Sequence, residues 1–420
     1  MKPAGPTFLD LFAGAGGLSE GFIRAGFIPV AHVETDRAAC NTLRTRMAFH
    51  HLKAKGNSEI YLSYLAGKLR RENFYDSVPR EITDSIIEAE IGQDTLPDIF
   101  RKVDGMLGSR RLDLIVGGPP CQAYSLVGRA RDGQNMRGDT RNYLYQYYAE
   151  FLKRYQPRHF IFENVVGLKT AKDTDGELHL DKMKCLFKEC GYSVEVKTLE
   201  AQDFGVLQNR RRVFISGKLG ENSGFFPMPE RWSPEVSVWD LFNGLRSLNA
   251  GEGKSGLTKL RKVKDSYLHD SKIVNGFGHT TWHQARPHSR QDMEIYRRAV
   301  ELWNNGKERL NYNDLPERLK THKNRKSFVD RFKVVAGDRL YSHTVVAHIA
   351  KDGHYYIHPD INQNRSLTPR EVARLQTFPD DFYFEGVKEG GSRTAAFRQI
   401  GNAVPVLLAE KIAEVLIREF

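Results

Sequence analysis

The sequence predicts an α/β fold: an open sheet of buried strands alternating with helices, and a second, irregular segment let into it toward the carboxyl end. Three observations carry that prediction. Short apolar runs rich in β-branched and aromatic residues (Thr7 to Phe12, Phe27 to Val33, Leu112 to Val116, His159 to Phe162) are separated by stretches of helical period. The first run passes straight into a glycine-rich turn and then a helix. From about residue 216 to 364 the periodicity fails, and all four tryptophans fall there.

Composition narrows the class. Apolar residues make up 40% of the 420, enough for a large core without disulfides. There is no apolar run of about 18 residues and no signal-peptide pattern, so no membrane association and a cytoplasmic setting are expected. The four cysteines (Cys40, Cys121, Cys185, Cys190) show no metal-ligand spacing, so no metal is expected. A net charge of +11 points to a polyanionic partner such as nucleic acid.

The first strand turns through Ala13-Gly14-Ala15-Gly16-Gly17 into a helix that buries Leu18, Phe22 and Ala25 and stops at Gly26. Glycines at such a turn let a ligand approach the backbone, and the helix amides favour a negative group there. The second strand ends in Glu34, twenty positions after Gly14. An acid at that place accepts hydrogen bonds from ribose hydroxyls. Together they indicate an adenosine-type cofactor, and nicotinamide and methionine-derived cofactors both fit. Asp36 caps the next helix, which carries Ala39, Leu43 and Met47. Residues 50 to 110 read as polar helices whose stripes (Ile60, Tyr61, Tyr64, Leu65; Ile99, Phe100, Val103, Leu107) pack on the sheet. Asp84 and Glu90 are candidates there for an adenine contact.

The third strand stops at Gly117-Gly118-Pro119-Pro120, which holds Cys121 on a stiff platform at a strand's carboxyl end. A lone cysteine after a strand is more often core, but its partners argue otherwise. Leu126 to Thr140 has no periodicity, and with Arg129, Arg131, Arg137 and Arg141 it suits closure over a phosphate backbone. A helix with Leu144, Tyr148, Phe151 and Tyr155 inward leads to a strand ending in Glu163-Asn164-Val165. A carboxylate on a buried strand tip is costly without a task or a partner. After a strand from Ser193 to Leu199 comes Gln208-Asn209-Arg210-Arg211-Arg212, then the strand Val213-Phe214-Ile215. On an extended chain Gln208, Arg210 and Arg212 share one face and Arg211 takes the other.

Between 216 and 364, 24 Lys and Arg face 17 Asp and Glu, so this segment is the expected nucleic-acid contact. It also holds nine of the fourteen histidines, which lack ligand spacing and read as structural. Helical pattern returns at Leu367 to Gln376, with Thr368 as cap and Pro369 in first position. Gly401-Asn402-Ala403-Val404 then precedes a last helix burying Leu408, Ile412 and Leu416. The expected organisation is a catalytic unit over 1–215, an inserted domain over 216–364, and a return segment over 365–420 that completes the first unit.

A thiol, a carboxyl group and an arginine beside an adenosine site suit methylation of pyrimidine carbon 5. Thiolate addition at carbon 6 turns an inert ring into an enamine that can attack a methyl electrophile. A protonated carboxyl at ring nitrogen 3 and an arginine at the 2-carbonyl would meet the charge. Glu163 then needs a raised pKa.

These residues resemble the DNA (cytosine-5) methyltransferases, and the likeness runs over nearly the whole chain. Asp10-Leu11-Phe12-Ala13-Gly14-Ala15-Gly16-Gly17 is similar to that family's cofactor loop, Glu34 to its ribose acid, and Gly118-Pro119-Pro120-Cys121-Gln122 to its nucleophile motif. Glu163-Asn164-Val165 is similar to its acid motif, and Gln208 to Arg212 to its Gln-x-Arg-x-Arg motif. Arg365 to Gln376 resembles the motif that organises target recognition, and Gly401 to Val404 the last cofactor motif. The resemblance implies a Rossmann-like S-adenosylmethionine-dependent methyltransferase domain with a smaller irregular target-recognition domain. S-adenosyl-L-methionine is then the donor, S-adenosyl-L-homocysteine the product, and a cytosine flipped out of double-stranded DNA the substrate. It implies Cys121, Glu163, Arg210 and Arg212 as the catalytic set. The cofactor would be held by Asp10, Phe12, Ala13, Gly14, Gly16, Gly17, Leu18, Glu34 and Thr35, with Pro119, Leu144, Asn402, Ala403 and Val404. Gln122, Ser125, Arg129 and Arg131 would meet DNA.

Two departures from the family pattern stand out: Thr35 replaces a common aromatic, and residues 50–92 are longer than in minimal members. The rival readings are a transfer-RNA cytosine-5 methyltransferase, whose variable domain is typically smaller, and a silent DNA-binding regulator, which would have lost the thiol or the acid. A monomeric bacterial modification enzyme is expected, with any cognate restriction endonuclease acting independently.

Overall fold

A computed structural model describes residues 5–120, 143–221, 223–263, 266–323, 325–326 and 328–420. Seven strands form its central sheet: β1 (Thr7–Leu11), β2 (Ile28–Glu34), β3 (Ile86–Glu88), β4 (Leu114–Gly117), β5 (His159–Val165), β6 (Tyr192–Glu200) and β7 (Arg211–Leu219). Their order is β3-β2-β1-β4-β5-β7-β6. β1 pairs in parallel with both β2 and β4, and β4 in parallel with β5, whereas β7 runs antiparallel to β5 and β6. Strand succession reverses between β1 and β4, and an open α/β sheet offers its binding crevice outside the carboxyl ends at such a point.

Helices cover both faces. α1 (Gly17–Arg24) lies on one face. α2 (Arg37–Ala54), whose Leu43 and Met47 cluster with Ile86 of β3 and Ile23 of α1, leads into three short helices, α3 (Ser58–Leu65), α4 (Arg71–Tyr75) and α5 (Arg80–Asp84). α6 (Leu96–Leu107), α7 (Leu144–Tyr155) and α8 (His179–Glu189) share an apolar cluster with Leu9, Leu11, Ile115, Phe160 and Phe162. Beyond the sheet come α9 (Arg290–Gly306), α10 (Pro369–Leu375), α11 (Arg393–Asn402) and α12 (Val406–Leu416). α12 packs Leu408 and Ile412 with Leu18 and Phe22 of α1 over Phe8, Val116 and Phe214. Gly21 makes that contact possible, since a Cβ there would lie 2.5 Å from the Glu410 nitrogen. The last stretch of chain is thereby locked onto the first helix.

Local chemistry sets the helix starts. Asp36 accepts the Ala39 N–H at 3.0 Å, and Thr368 with Glu371 forms a capping box ahead of Pro369. Each such cap contributes about 1 kcal/mol. Two sheet features differ from the sequence expectation. β3, only three residues long, joins the edge beside β2 with Glu88 opposite Glu34, where a helical stretch is expected. The strand expected at Val213 to Ile215 runs from Arg211 to Leu219, because pairing on both sides carries it past its apolar centre.

The segment from 216 to 364 has two kinds of core. Residues 290–361 build their own cluster around Tyr296, Tyr312, Phe332 and Ile357. Val238, Leu241, Tyr267, Leu268 and Trp282 instead share one cluster with Phe49, Tyr61 and Phe74 and with Leu375, Phe378 and Phe397. Among the described residues no helix is long and apolar enough to cross a membrane.

Candidate active site

The tips of β1 and β2 are joined by a carboxylate. After Leu11 the chain turns through Phe12 at φ 57°, a conformation that side chains rarely adopt, and then Gly14 at φ 54° and Gly16 at φ 81°. The Gly14 N–H donates to Glu34 Oε2 at 2.7 Å, while the Thr35 and Asp36 N–H groups donate to Oε1 at 2.9 and 2.7 Å. Burial raises the Glu34 pKa, and those three amides partly offset the rise. Over Gly14 there is open space, since a Cβ there would meet nothing within 4 Å. Gly17 is closed off differently: its Cβ would sit 2.4 Å from the Val404 carbonyl oxygen, so the return segment lies directly on this turn. Asp10 is fully buried, and both its oxygens lack a hydrogen-bond partner among the described residues. Burial first, and Glu34 second, hold its pKa well above the carboxylate range. A buried carboxyl without a donor is expensive, so this strand carries an unused acceptor two residues before Phe12.

The tips of β4, β5 and β7 meet next to it. Gly117 presses β4 against β1, where a Cβ would come 2.1 Å from the Leu11 carbonyl oxygen. One residue on, a Cβ at Gly118 would lie 2.4 Å from the Glu163 carbonyl oxygen and 2.9 Å from Glu163 Oε2. The Gly-Gly-Pro-Pro platform therefore runs between the glycine turn and the acid of β5. Asn164 Nδ2 steadies it by donating to the Pro119 carbonyl at 3.4 Å. From the other side Arg212, which faces Val165 in the β5–β7 register, sets its Nε 2.7 Å from Glu163 Oε1. Both side chains are largely buried, at 13% and 14% exposure. Burial raises the Glu163 pKa; Arg212 and then Arg210 pull against it, and the net shift is upward. A carboxyl in this setting can hold a proton and deliver it, with a guanidinium fixed beside it.

A family model for C-5 cytosine-specific DNA methylases matches residues 6–60 and 91–418. The chain belongs to that family. It is a DNA cytosine-5 methyltransferase. Among curated relatives, the type II methyltransferase M.Bpa9945I of Bacillus paralicheniformis is 40% identical, covering 96% of this chain and 97% of its own. M1.HphI of Haemophilus parahaemolyticus is 31% identical over 98% of this chain and 87% of its own. An E. coli prophage protein described as a DNA modification methyltransferase shares the fold with a TM-score of 0.62 at 23% identity, covering 98% of this chain and 99% of that one.

Several residues expected at the methylase site are placed by other contacts. Arg210, expected in the catalytic set, is fully buried. Its Nη1 donates to the Val345 carbonyl at 2.6 Å, and its Nη2 to the Ala403 and Gly401 carbonyls at 2.8 and 3.3 Å. Gln208 donates to the Leu375 carbonyl at 2.9 Å and accepts the Val345 N–H at 2.8 Å. Of the three residues expected on one face, Arg212 makes the ion pair with Glu163, while Gln208 and Arg210 tie the later chain to β7. The reason is local: β7 begins only at Arg211, and Gln208 pairs instead with Ser342. Arg211 is exposed, as alternation requires.

Phe12 is half-buried against the α6–α7 side, Leu144 opens α7, Thr35 and Asn402 are exposed, and Ala403 and Val404 are buried. Two contributors escaped the sequence reading. Gln376 donates to the Ile400 and Ala403 carbonyls at 2.8 and 3.1 Å and so holds the return turn. Glu88, in register with Glu34, pairs with Arg44 at 3.2 Å, closer to that acid in register than Asp84 or Glu90. Cys121, Gln122, Ser125, Arg129 and Arg131 lie outside the described residues. Among the described residues no three His, Cys, Asp or Glu side chains gather to hold a metal.

Proposed function

We propose that the chain methylates carbon 5 of a cytosine flipped from a specific double-stranded DNA sequence, with Cys121 as nucleophile, Glu163 as the acid and Arg212 at the 2-carbonyl. One observation carries the reading. The platform that ends in Cys121 is wedged by Gly118 against the Glu163 carboxyl, whose other oxygen is held by Arg212, and Gly117 abuts the glycine-turn strand. The Cys121 thiol would add at carbon 6 of the ring. The raised pKa of Glu163 suits it to hold a proton at ring nitrogen 3, and Arg212 keeps that carboxyl oriented. Withdrawal from bulk water strengthens both interactions.

S-adenosyl-L-methionine, when bound, supplies an electrophilic methyl group. The residues present fit it: Glu34 is held by three amides where it can meet ribose hydroxyls, and among the described residues Gly14 leaves open space and the Asp10 oxygens have no hydrogen-bond partner. Phe12, Pro119, Leu144 and the Asn402-Ala403-Val404 turn would complete that pocket. In this reading residues 1–215 and 365–420 form the catalytic domain and residues 216–364 read the bases. The relatives' names, type II methyltransferases of bacteria, support a bacterial modification role. A cytoplasmic, monomeric enzyme, with any endonuclease acting on its own, completes the reading.

Bisulfite sequencing of DNA from cells expressing the chain tests the proposal. The expected result is full protection of one short sequence context by the wild type and none by Cys121→Ser. Protection by the serine variant would overturn the nucleophile assignment, and no protected context in the wild type would overturn the activity.

A further inference from the structure

The family match stops at residue 60 and resumes at residue 91, so the stretch from Tyr61 of α3 through β3 lies outside the shared pattern. This stretch is nonetheless strongly anchored, and to the segment that the proposed function gives to base reading. The Tyr61 ring stands 4.6 Å from Phe49 of α2 and 6.2 Å from Phe277, and its hydroxyl donates to the Asp381 carbonyl at 2.7 Å. The Leu65 carbonyl accepts the Leu257 N–H at 3.0 Å, between the two short strands Gly253–Lys254 and Thr258–Lys259. Arg71 donates to the Gly386 and Val387 carbonyls at 3.0 and 2.9 Å, and its N–H to Glu389 at 2.9 Å. The same return loop holds Trp282, whose Nε1 donates to the Phe384 carbonyl at 2.9 Å and whose ring stacks on Tyr383 at 5.8 Å.

We propose that residues 61–78 are a strut that positions the Gly253–Gln284 hairpins, in which Gly253–Lys254 pairs with His283–Gln284 and Thr258–Lys259 with His279–Thr280, for contact with DNA, so that this insertion sets affinity and sequence discrimination without entering the chemistry. Two points argue for it. Among the described residues the hairpins have no apolar core of their own and share one with α3 and α4. Besides its contacts with α2 through Phe49 and the Asn41 carbonyl, the strut reaches the recognition segment and the return loop, and none of these contacts falls on the Glu163–Arg212 pair or on the Glu34 carboxylate. Arg71 is therefore a positioning residue, acting through the loop at 385–389.

The inference rests on the recognition role proposed for 216–364, and the test separates the two. Arg71→Ala, Arg71→Lys and a Lys254→Ala/Lys259→Ala control would be assayed below their melting temperatures. The substrates are a duplex carrying the bisulfite-mapped site and one with a single base-pair change. For Arg71→Ala, DNA KM should rise about five- to tenfold and discrimination between the duplexes fall by a similar factor, with kcat within about twofold and cofactor Kd unchanged. Arg71→Lys, which can still reach one carbonyl, should recover part of the loss and serves alone if the alanine variant does not fold. A change confined to melting temperature, or a fall in kcat or cofactor affinity, would overturn the strut. If the double-lysine control also leaves DNA KM unmoved, the recognition role of 216–364 fails and the strut with it.

Discussion

Glu163→Gln separates a proton donor from a structural partner. The glutamine keeps the shape of the side chain and leaves a carbonyl oxygen for Arg212 Nε, now 2.7 Å from Oε1. The ion pair becomes a hydrogen bond from the guanidinium to a neutral amide oxygen, costing about 1 kcal/mol of stability. The chemistry loses more. General-acid catalysis is worth about 10²- to 10⁴-fold, or roughly 3–5 kcal/mol of barrier. Single-turnover transfer of tritiated methyl groups to saturating duplex should therefore fall at least a hundredfold, while the melting temperature moves by about a degree or two. The pH profile adds an independent sign. Burial raises the Glu163 pKa, and the protonated form is the competent one, so wild-type kcat/KM should decline as pH climbs through that pKa. The glutamine variant should lack this declining limb. A rate within tenfold of wild type, or a limb that survives the substitution, would refute the acid role.

Three further outcomes follow from the geometry. Arg210→Met leaves the Val345 carbonyl without its buried donor and loosens the Gly401–Ala403 turn. We expect about 2–4 kcal/mol of destabilisation by denaturant titration, and weaker cofactor binding by calorimetry because Val404 closes on Gly17. Gly118→Ala should cost at least about 1–3 kcal/mol, since its Cβ would meet the Glu163 carbonyl oxygen at 2.4 Å as well as the carboxyl tip, and at least a hundredfold in turnover as the carboxyl is displaced. In the recognition segment, burial depresses His288, His343 and His358 to about 4. The unfolded chain binds those protons first, so stability is intact above about pH 6.5 and is lost as pH falls toward 4, at most about 4 kcal/mol per pH unit for the three together. Thermal melts between pH 7.5 and 4.5 should show this decline, and a flat profile would contradict it.

Much of the sheet could be read in advance because its strands are buried on both faces and stand out as apolar runs bounded by glycine or a carboxylate. The same logic drew attention to Glu34, Glu163 and Arg212, which lie at or within two residues of a strand end. β3 escaped because three residues carry no period, and Ile86 and Ile87 blend into a helical neighbourhood. The roles of Gln208 and Arg210 escaped for another reason. Alternation gives a side chain's face only while the backbone is extended, and here the strand begins at Arg211. Their acceptors, at residues 345, 375 and 401–403, are more than 130 positions away along the chain, a distance no local pattern can signal.

On the proposed assignment, the catalytic and recognition parts of this methylase are held by different kinds of contact. Around the reaction, position is set by backbones touching where no Cβ fits: Gly117 on Leu11, Gly118 on Glu163, Gly17 on Val404. Such contacts have little slack, because the interior is close-packed and any added atom must move a strand. The recognition hairpins are held instead by rings and long side chains, among them Tyr61, Trp282 and Arg71, reaching to carbonyls of a loop. Side-chain contacts of that sort can be exchanged one at a time and still leave a packed core. A chain built this way can change what it reads by altering its strut and hairpins while the strand tips that carry the chemistry stay where they are. The family match accordingly runs through the tips of β1, β2, β4, β5 and β7 and is interrupted at residues 61–90, which hold the strut.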